Sequence, residues 1–133
     1  MAALESHFPV LILDDDEATL VLERRILERA GFSVVSASTP AAARQAVLSG
    51  RVALLILDYR LGSAMSGLDF FRELRREGRD LPAIMVTSFS DESKVIEALR
   101  AGIRDVVPKS GDYLDYLPLA VHRIIEQVRT ERQ

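Results

Sequence analysis

The sequence predicts an α/β fold: a doubly wound parallel sheet of five strands with helices on both faces. Three observations carry that prediction. Short apolar runs recur at 8–13, 33–37, 53–57, 83–86 and 105–108. A segment with helical spacing follows each of them. Glycines, or residues suited to cap a helix, mark most of the joins. Uninterrupted β-then-α units imply parallel strands joined by right-handed crossovers. In such sheets the ligand crevice lies at the carboxyl ends of the strands.

The elements follow in order. "VLIL" is apolar at every position, as expected of a strand buried on both faces. The helix after it ends at Gly31, a natural left-handed cap. "SVVSA" is a weaker strand signal. It leads to "STPAAARQAVLSG", with Thr39 as N-cap, Pro40 at the first helical position and Gly50 closing. "ALLIL" is the third strand, and the helix over roughly 67–77 stops at Gly78. "AIMV" is the fourth. Its helix starts at Ser90, carries Asp91 and Glu92 where the helix dipole favours acids, and ends at Gly102. The run at 105–108 is weak alone. The last helix carries Leu114, Leu117, Val121, Ile124 and Val128, a stripe read as packing on the sheet over 114–124. Pro118 is expected in or near its first turn, because a proline further in would break the helix. The stretch 126–133, "EQVRTERQ", is polar yet rich in helix formers, and reads as the start of a helical linker.

Composition sets the outer bounds. At 133 residues the chain is one domain, 1–133, large enough to bury about two-thirds of its unfolded surface. Its 48% hydrophobic and 28% charged residues are an ordinary globular balance. A net charge of −3, with no basic stripe uninterrupted by acids, argues against direct nucleic-acid binding. The absence of cysteine excludes disulfides, thiolate metal sites and cysteine nucleophiles. No apolar run approaches the ~20 residues of a membrane span, and "MAALESHFPV" lacks the features of a signal peptide, so a cytoplasmic location without membrane contact is expected.

The strand ends hold the chemistry. Asp14 and Asp15 end the first strand, Asp58 the third, Thr87 and Ser88 the fourth, and Lys109 the fifth. Each alone has a plain explanation. Acids before a helix cap it, an aspartate after an apolar strand forms a turn, and a lysine leaving a sheet is solvated. One crevice receiving three acids, a hydroxyl and an amine is a sharper coincidence. Converging carboxylates share a cation or raise their pKa values. A hard cation such as Mg²⁺ accepts their oxygens and then a phosphate oxygen. An aspartate can itself attack a phosphoryl group. Asp16 and Glu17, one step further on, read as helix-starting residues.

The whole chain resembles the receiver domain of bacterial two-component response regulators. The motifs are the acid pair in "LILDDDEA", the acceptor in "LLILDYRLGSAMSGLDF", the hydroxyl in "AIMVTSFSD" and the lysine in "AGIRDVVPKS". The ordered set across five βα units, rather than any one motif, carries the resemblance. It implies a flavodoxin-like (βα)5 sheet with strand order 2-1-3-4-5, and a regulatory phosphoacceptor rather than an enzyme with turnover. Asp58 would take a phosphoryl group from the phosphohistidine of a sensor histidine kinase or a histidine phosphotransfer protein. Asp15, Asp58 and the Arg60 backbone carbonyl would hold Mg²⁺, with Asp14 assisting through water. Thr87, Ser88 and Lys109 would bind the phosphoryl group. The altered surface would then select a downstream protein effector or an attached domain.

Four positions depart from that family's usual pattern. The loop after Asp58 lacks the usual proline and looks one residue longer, placing Gly67 nine positions on. Ser110, not proline, follows Lys109, which leaves the lysine less rigidly aimed. Val106 stands where a switch tyrosine or phenylalanine is usual, so an aromatic rotamer flip coupled to Thr87 is lost. Arg60 and Phe89 flank the approach of hydrolytic water and are expected to tune phosphoryl lifetime. Two rivals share the residues. A haloacid-dehalogenase-like Mg²⁺-dependent phosphatase would use "DDEATL", Thr87, Lys109 and "GDYLD", but it places Glu17 where a second aspartate is needed and leaves Asp58 unexplained. A pseudo-receiver would keep the fold as a binding module without phosphorylation.

Overall fold

Residues 8–88 and 92–132 are described by the structure, a computed structural model. Five parallel strands form one sheet: β1 (Val10–Leu13), β2 (Val34–Ala37), β3 (Leu54–Asp58), β4 (Ala83–Thr87) and β5 (Asp105–Pro108). Their order is β2-β1-β3-β4-β5, as the resemblance implied. The helices are α1 (Glu17–Arg29), α2 (Pro40–Leu48), α3 (Gly67–Arg76), α4 (Glu92–Ala101) and α5 (Tyr113–Arg132). Leu54 to Asp58 in β3 and Ala83 to Thr87 in β4 are buried throughout, because helices cover both faces there.

Alternating residues of each central strand feed two cores. Val10, Ile12, Leu54, Ile56, Ile84 and Val86 pack with Leu20 and Leu27 of α1 and Leu117, Val121 and Ile124 of α5. Leu11, Leu13, Leu55, Leu57 and Met85 pack with Val47 of α2, Phe70, Phe71 and Leu74 of α3, and Ala98 of α4. So α1 and α5 share one face, while α2, α3 and α4 cover the other.

The punctuation read from the sequence is local structure. Thr39 accepts from the Ala42 amide at 3.1 Å as N-cap of α2. Asp16 caps α1, accepting from the Ala18 amide at 3.1 Å and from the Thr19 hydroxyl at 2.8 Å. That hydroxyl, followed by the Ala18 amide, holds the Asp16 carboxyl below its ordinary range. A reciprocal capping box not anticipated from the sequence opens α3: Ser66 Oγ accepts from the Asp69 amide, and Asp69 Oδ2 accepts from the Ser66 amide, both at 3.0 Å. The anticipated start of the fourth helix at Ser90 and Asp91 lies outside the described residues.

Two readings of α5 are corrected. Pro118 stands in the second turn, five residues after Tyr113 opens the helix. It removes one backbone donor, a cost near 3 kcal/mol in a helix interior. Burial of Leu117, Val121, Ile124, Ile125 and Val128 at about 1.5–3 kcal/mol each outweighs it. The packed stripe also reaches Val128 rather than stopping near Ile124. Among the described residues, no helix is long and apolar enough to cross a membrane.

Candidate functional site

Parallel order puts every strand's carboxyl end on one edge, and the chain reverses its winding direction between β1 and β3. Asp14 follows β1 there and Asp58 ends β3. The triple acid of the sequence divides by direction. Asp14 turns inward, 1% exposed, and its Oδ1 accepts from the Asp16 amide at 2.9 Å. Asp15 is exposed, and Asp16 turns away to cap α1. Glu17 is exposed in the first turn of α1 and takes no part in the cluster.

One oxygen from each of Asp14, Asp15 and Asp58 lies within 4.8 Å of the others. Lys109 closes the group from the end of β5. Its Nζ donates to Asp14 Oδ2 at 2.7 Å and stands 3.2 Å from Asp58 Oδ1. The Lys109 amide donates to the Thr87 carbonyl at 2.7 Å, so backbone and side chain are both anchored. Thr87 is 7% exposed at the end of β4, and Ser88 follows it into solvent. Arg60 lies in the exposed loop after β3. Phe89, expected to tune phosphoryl lifetime, lies outside the described residues.

Three carboxylates face one ammonium, and the titration behaviour reflects the imbalance. Burial and then the neighbouring Asp14 charge push the Asp58 carboxyl up to about 6, with Lys109 only partly offsetting them. Burial works to lower the Lys109 pKa. The hydrogen bond to Asp14 and the charge of Asp58 outweigh it and hold the ammonium above its ordinary value. A hard divalent cation fits this all-oxygen donor set and would relieve the remaining repulsion.

The loop between β3 and α3 is shaped by close approach. Gly62, at φ +64°, sits so near Asp15 that a Cβ there would lie 2.6 Å from Asp15 Oδ2. Gly67 has no room for a Cβ against the backbone carbonyl of Asp58, and its amide donates to the Tyr59 carbonyl at 2.8 Å. The glycine flagged for its position in the sequence therefore packs α3 directly onto the Asp58 backbone.

Two pairings at the site's margins were not legible in the sequence. Tyr59, next to Asp58, accepts from Lys94 Nζ at 3.1 Å, and that ammonium also lies 5.0 Å from the ring centroid. Tyr59 and Lys94 border Thr87, Met85 and Val106 around a cavity of about 10 Å³. An aromatic ring is thus present beside Thr87, contributed by Tyr59 just past β3 rather than by position 106. On the other face, Glu23 of α1 is 1% exposed and accepts from the Tyr113 hydroxyl at 3.0 Å. Burial pushes its carboxyl up to about 7, against the lowering effect of that hydrogen bond. The only available signal was one glutamate on the apolar side of α1, which periodicity alone does not distinguish from a solvated residue.

The comparisons agree with this arrangement. The chain is 32% identical over 120 residues to the response regulator MprA of Mycobacterium avium (strain 104), covering 90% of this chain and 49% of that relative. It therefore spans about half the length of the curated relatives it matches. A CheY-like response regulator receiver domain from Methanospirillum hungatei JF-1 superposes with a TM-score of 0.83 at 25% identity, covering 95% of this chain and 99% of that one. The signal receiver domain of a putative Luxo repressor protein from Vibrio parahaemolyticus shares the fold, with a TM-score of 0.86 at 20% identity and 95% of each chain covered. Residues 10–117 match the family described as the response regulator receiver domain, a span holding every acid, hydroxyl and amine of the strand-end cluster. The chain belongs to the receiver domain family of two-component response regulators.

Proposed function

We propose that this domain is a phospho-accepting switch, with Asp58 as acceptor and a phosphohistidine on a partner kinase or phosphotransfer protein as donor. The observation that carries the reading is Lys109 Nζ between Asp14 and Asp58, at 2.7 and 3.2 Å, on the strand edge where three carboxylates converge. An Asp58 oxygen attacks phosphorus, the P–N bond breaks, and the imidazole nitrogen leaves with the electron pair. In this reading the Lys109 ammonium follows one of the new phosphoryl oxygens and the Thr87 hydroxyl donates to another. Asp14, Asp15, Asp58 and the Arg60 carbonyl would hold Mg²⁺, which when bound offsets phosphate charge. Ser88 is assigned beside Thr87, and Arg60 and Phe89 to phosphoryl lifetime.

In the same reading the signal leaves through Thr87 and its neighbours. Val106 cannot supply a rotating ring, so Tyr59 and Lys94 are the groups that a moving Thr87 would meet. The stretch 126–133 is assigned to a helical linker, with output through an effector or an attached domain. The domain is cytoplasmic and acts without turnover on external substrates.

The test is intact mass after incubation with acetyl phosphate and Mg²⁺, for wild type and Asp58→Asn. One phosphoryl group on the wild type and none on the variant is expected. No adduct, or an equal one on both, would overturn the assignment. Repeated hydrolysis of a generic phosphoester would instead favour the phosphatase reading.

A further inference from the structure

The second core face carries a charged groove that the phosphoacceptor chemistry does not use. It runs between α3 and α4 with a volume of about 810 Å³, and Arg72, Arg75, Arg76 and Arg100 line it. Ile96 adds an apolar surface, 48% exposed, and Glu97 is the one carboxylate among the described residues that line the groove.

Arg75 has a structural task. It donates to the Ala101 carbonyl at 3.3 Å, lies over the Phe71 ring and stands 3.9 Å from Asp80. Among the described residues, none forms an ion pair with Arg72, Arg76 or Arg100. The nearby Glu73 and Glu77 are committed elsewhere, both to Arg44. Helix dipoles account for arginines in last turns, hence for Arg76 and Arg100 singly. They do not account for Arg72, which stands four residues before Arg76 on the same helix, where like charges repel. Nor do they explain why α4 brings Arg100 to the same groove, in a chain whose net charge is −3.

We propose that this groove docks an acidic segment of a partner protein, with carboxylates on Arg72, Arg76 and Arg100 and an apolar side chain on Ile96. Guanidinium forks match carboxylates in a bidentate way, and uncommitted ones attract an oppositely charged partner from a distance. A nucleic acid fits less well, because none of the described residues lining the groove is aromatic and able to stack a base, and Glu97 would face phosphates. None of Asp14, Asp15, Asp58, Thr87 and Lys109 lines the groove, so the inference stands independently of the phosphoacceptor assignment.

The experiment is fluorescence anisotropy on the full chain, with a labelled helical peptide bearing Glu and Leu at i, i+3 and i+4 spacing. Saturable binding is expected that weakens with salt and falls about tenfold or more in the triple variant Arg72→Ala, Arg76→Ala, Arg100→Ala. The same peptide with Gln for Glu should not bind, and Asp58→Asn should bind like wild type. Arg100→Gln, a single change at an exposed site, keeps the comparison available should the triple variant misfold. No saturable binding, equal binding by the variants, or tighter binding of duplex DNA than of the peptide overturns the proposal. A dimer of the free chain that the arginine variants dissolve also overturns it, in favour of a second copy as occupant.

Discussion

Asp58 and Glu23 are both carboxyls raised by burial, with opposite consequences. A cation must meet the ionised form of Asp58, whose pKa stands at about 6. Mg²⁺ affinity should therefore fall about fivefold between pH 6 and pH 5 and level off above neutrality, followed by isothermal titration calorimetry. A pH-independent affinity would remove Asp58 from the ligand set. Glu23, at about 7, binds a proton in the folded state that it has already lost in the unfolded state. Its contribution to stability is thus lost as pH rises from about 4.5 to about 7. Glu23→Gln carries no such loss, so its stability relative to wild type should improve by about 2 kcal/mol between pH 5 and pH 8 in urea titrations. The two residues also differ in legibility. Asp58 ends an apolar run at the edge where the fold class places ligands, so position alone flags it. Glu23 sits in "LVLERRIL" among other charges, and only the Tyr113 hydroxyl, ninety residues away, distinguishes it.

Among the elements, strand and helix boundaries followed the sequence wherever one residue imposes a local conformation, as Thr39, Pro40, Gly31 and Gly50 do. Pro118 was misplaced because its local cost is overridden by a buried stripe that no local rule weighs. The loop from Tyr59 to Ser66 lies between these cases. The glycine position was visible, but the reason Gly67 must be glycine was not, because that reason is the Asp58 carbonyl in space. Gly67→Ala should cost about 1–3 kcal/mol by overpacking against a backbone that cannot yield. With Asp58 as the proposed acceptor, it should also weaken beryllofluoride uptake, since the displaced group is the Asp58 peptide. Chemical denaturation together with a beryllofluoride titration checks both. Ser66→Ala, removing half of the capping box, should cost about 1 kcal/mol and leave beryllofluoride uptake intact.

For the whole molecule, three like charges meet on an edge supported by a sheet that helices bury from both sides. A ligand that binds only the folded state stabilises it by about 2.7 kcal/mol at a hundredfold excess over its dissociation constant. Saturating Mg²⁺ should accordingly raise the melting temperature, and a chelator should reverse the rise. Asp14→Asn with Asp15→Asn should abolish the effect while leaving the unliganded protein no less stable. Scanning calorimetry of the four combinations decides this. The architecture was legible because alternation of strand and helix leaves few topologies open. The groove between α3 and α4 was not, because its arginines are interleaved with acids along the chain, and only in space do Glu73 and Glu77 turn to Arg44 instead.

The contact between Lys109 and Asp14 joins residues 95 positions apart, from the last strand to the first. A chain emerging from the ribosome presents all three carboxylates long before their ammonium arrives. Until β5 docks, the edge carrying Asp14, Asp15 and Asp58 lacks the Lys109 ammonium that bonds Asp14 and stands beside Asp58. Competence to receive a signal would then report that synthesis and folding have reached the fifth strand. Lys109→Ala in the full chain should be labelled by acetyl phosphate more slowly than wild type. An equal rate for that variant would show that the lysine is dispensable for timing.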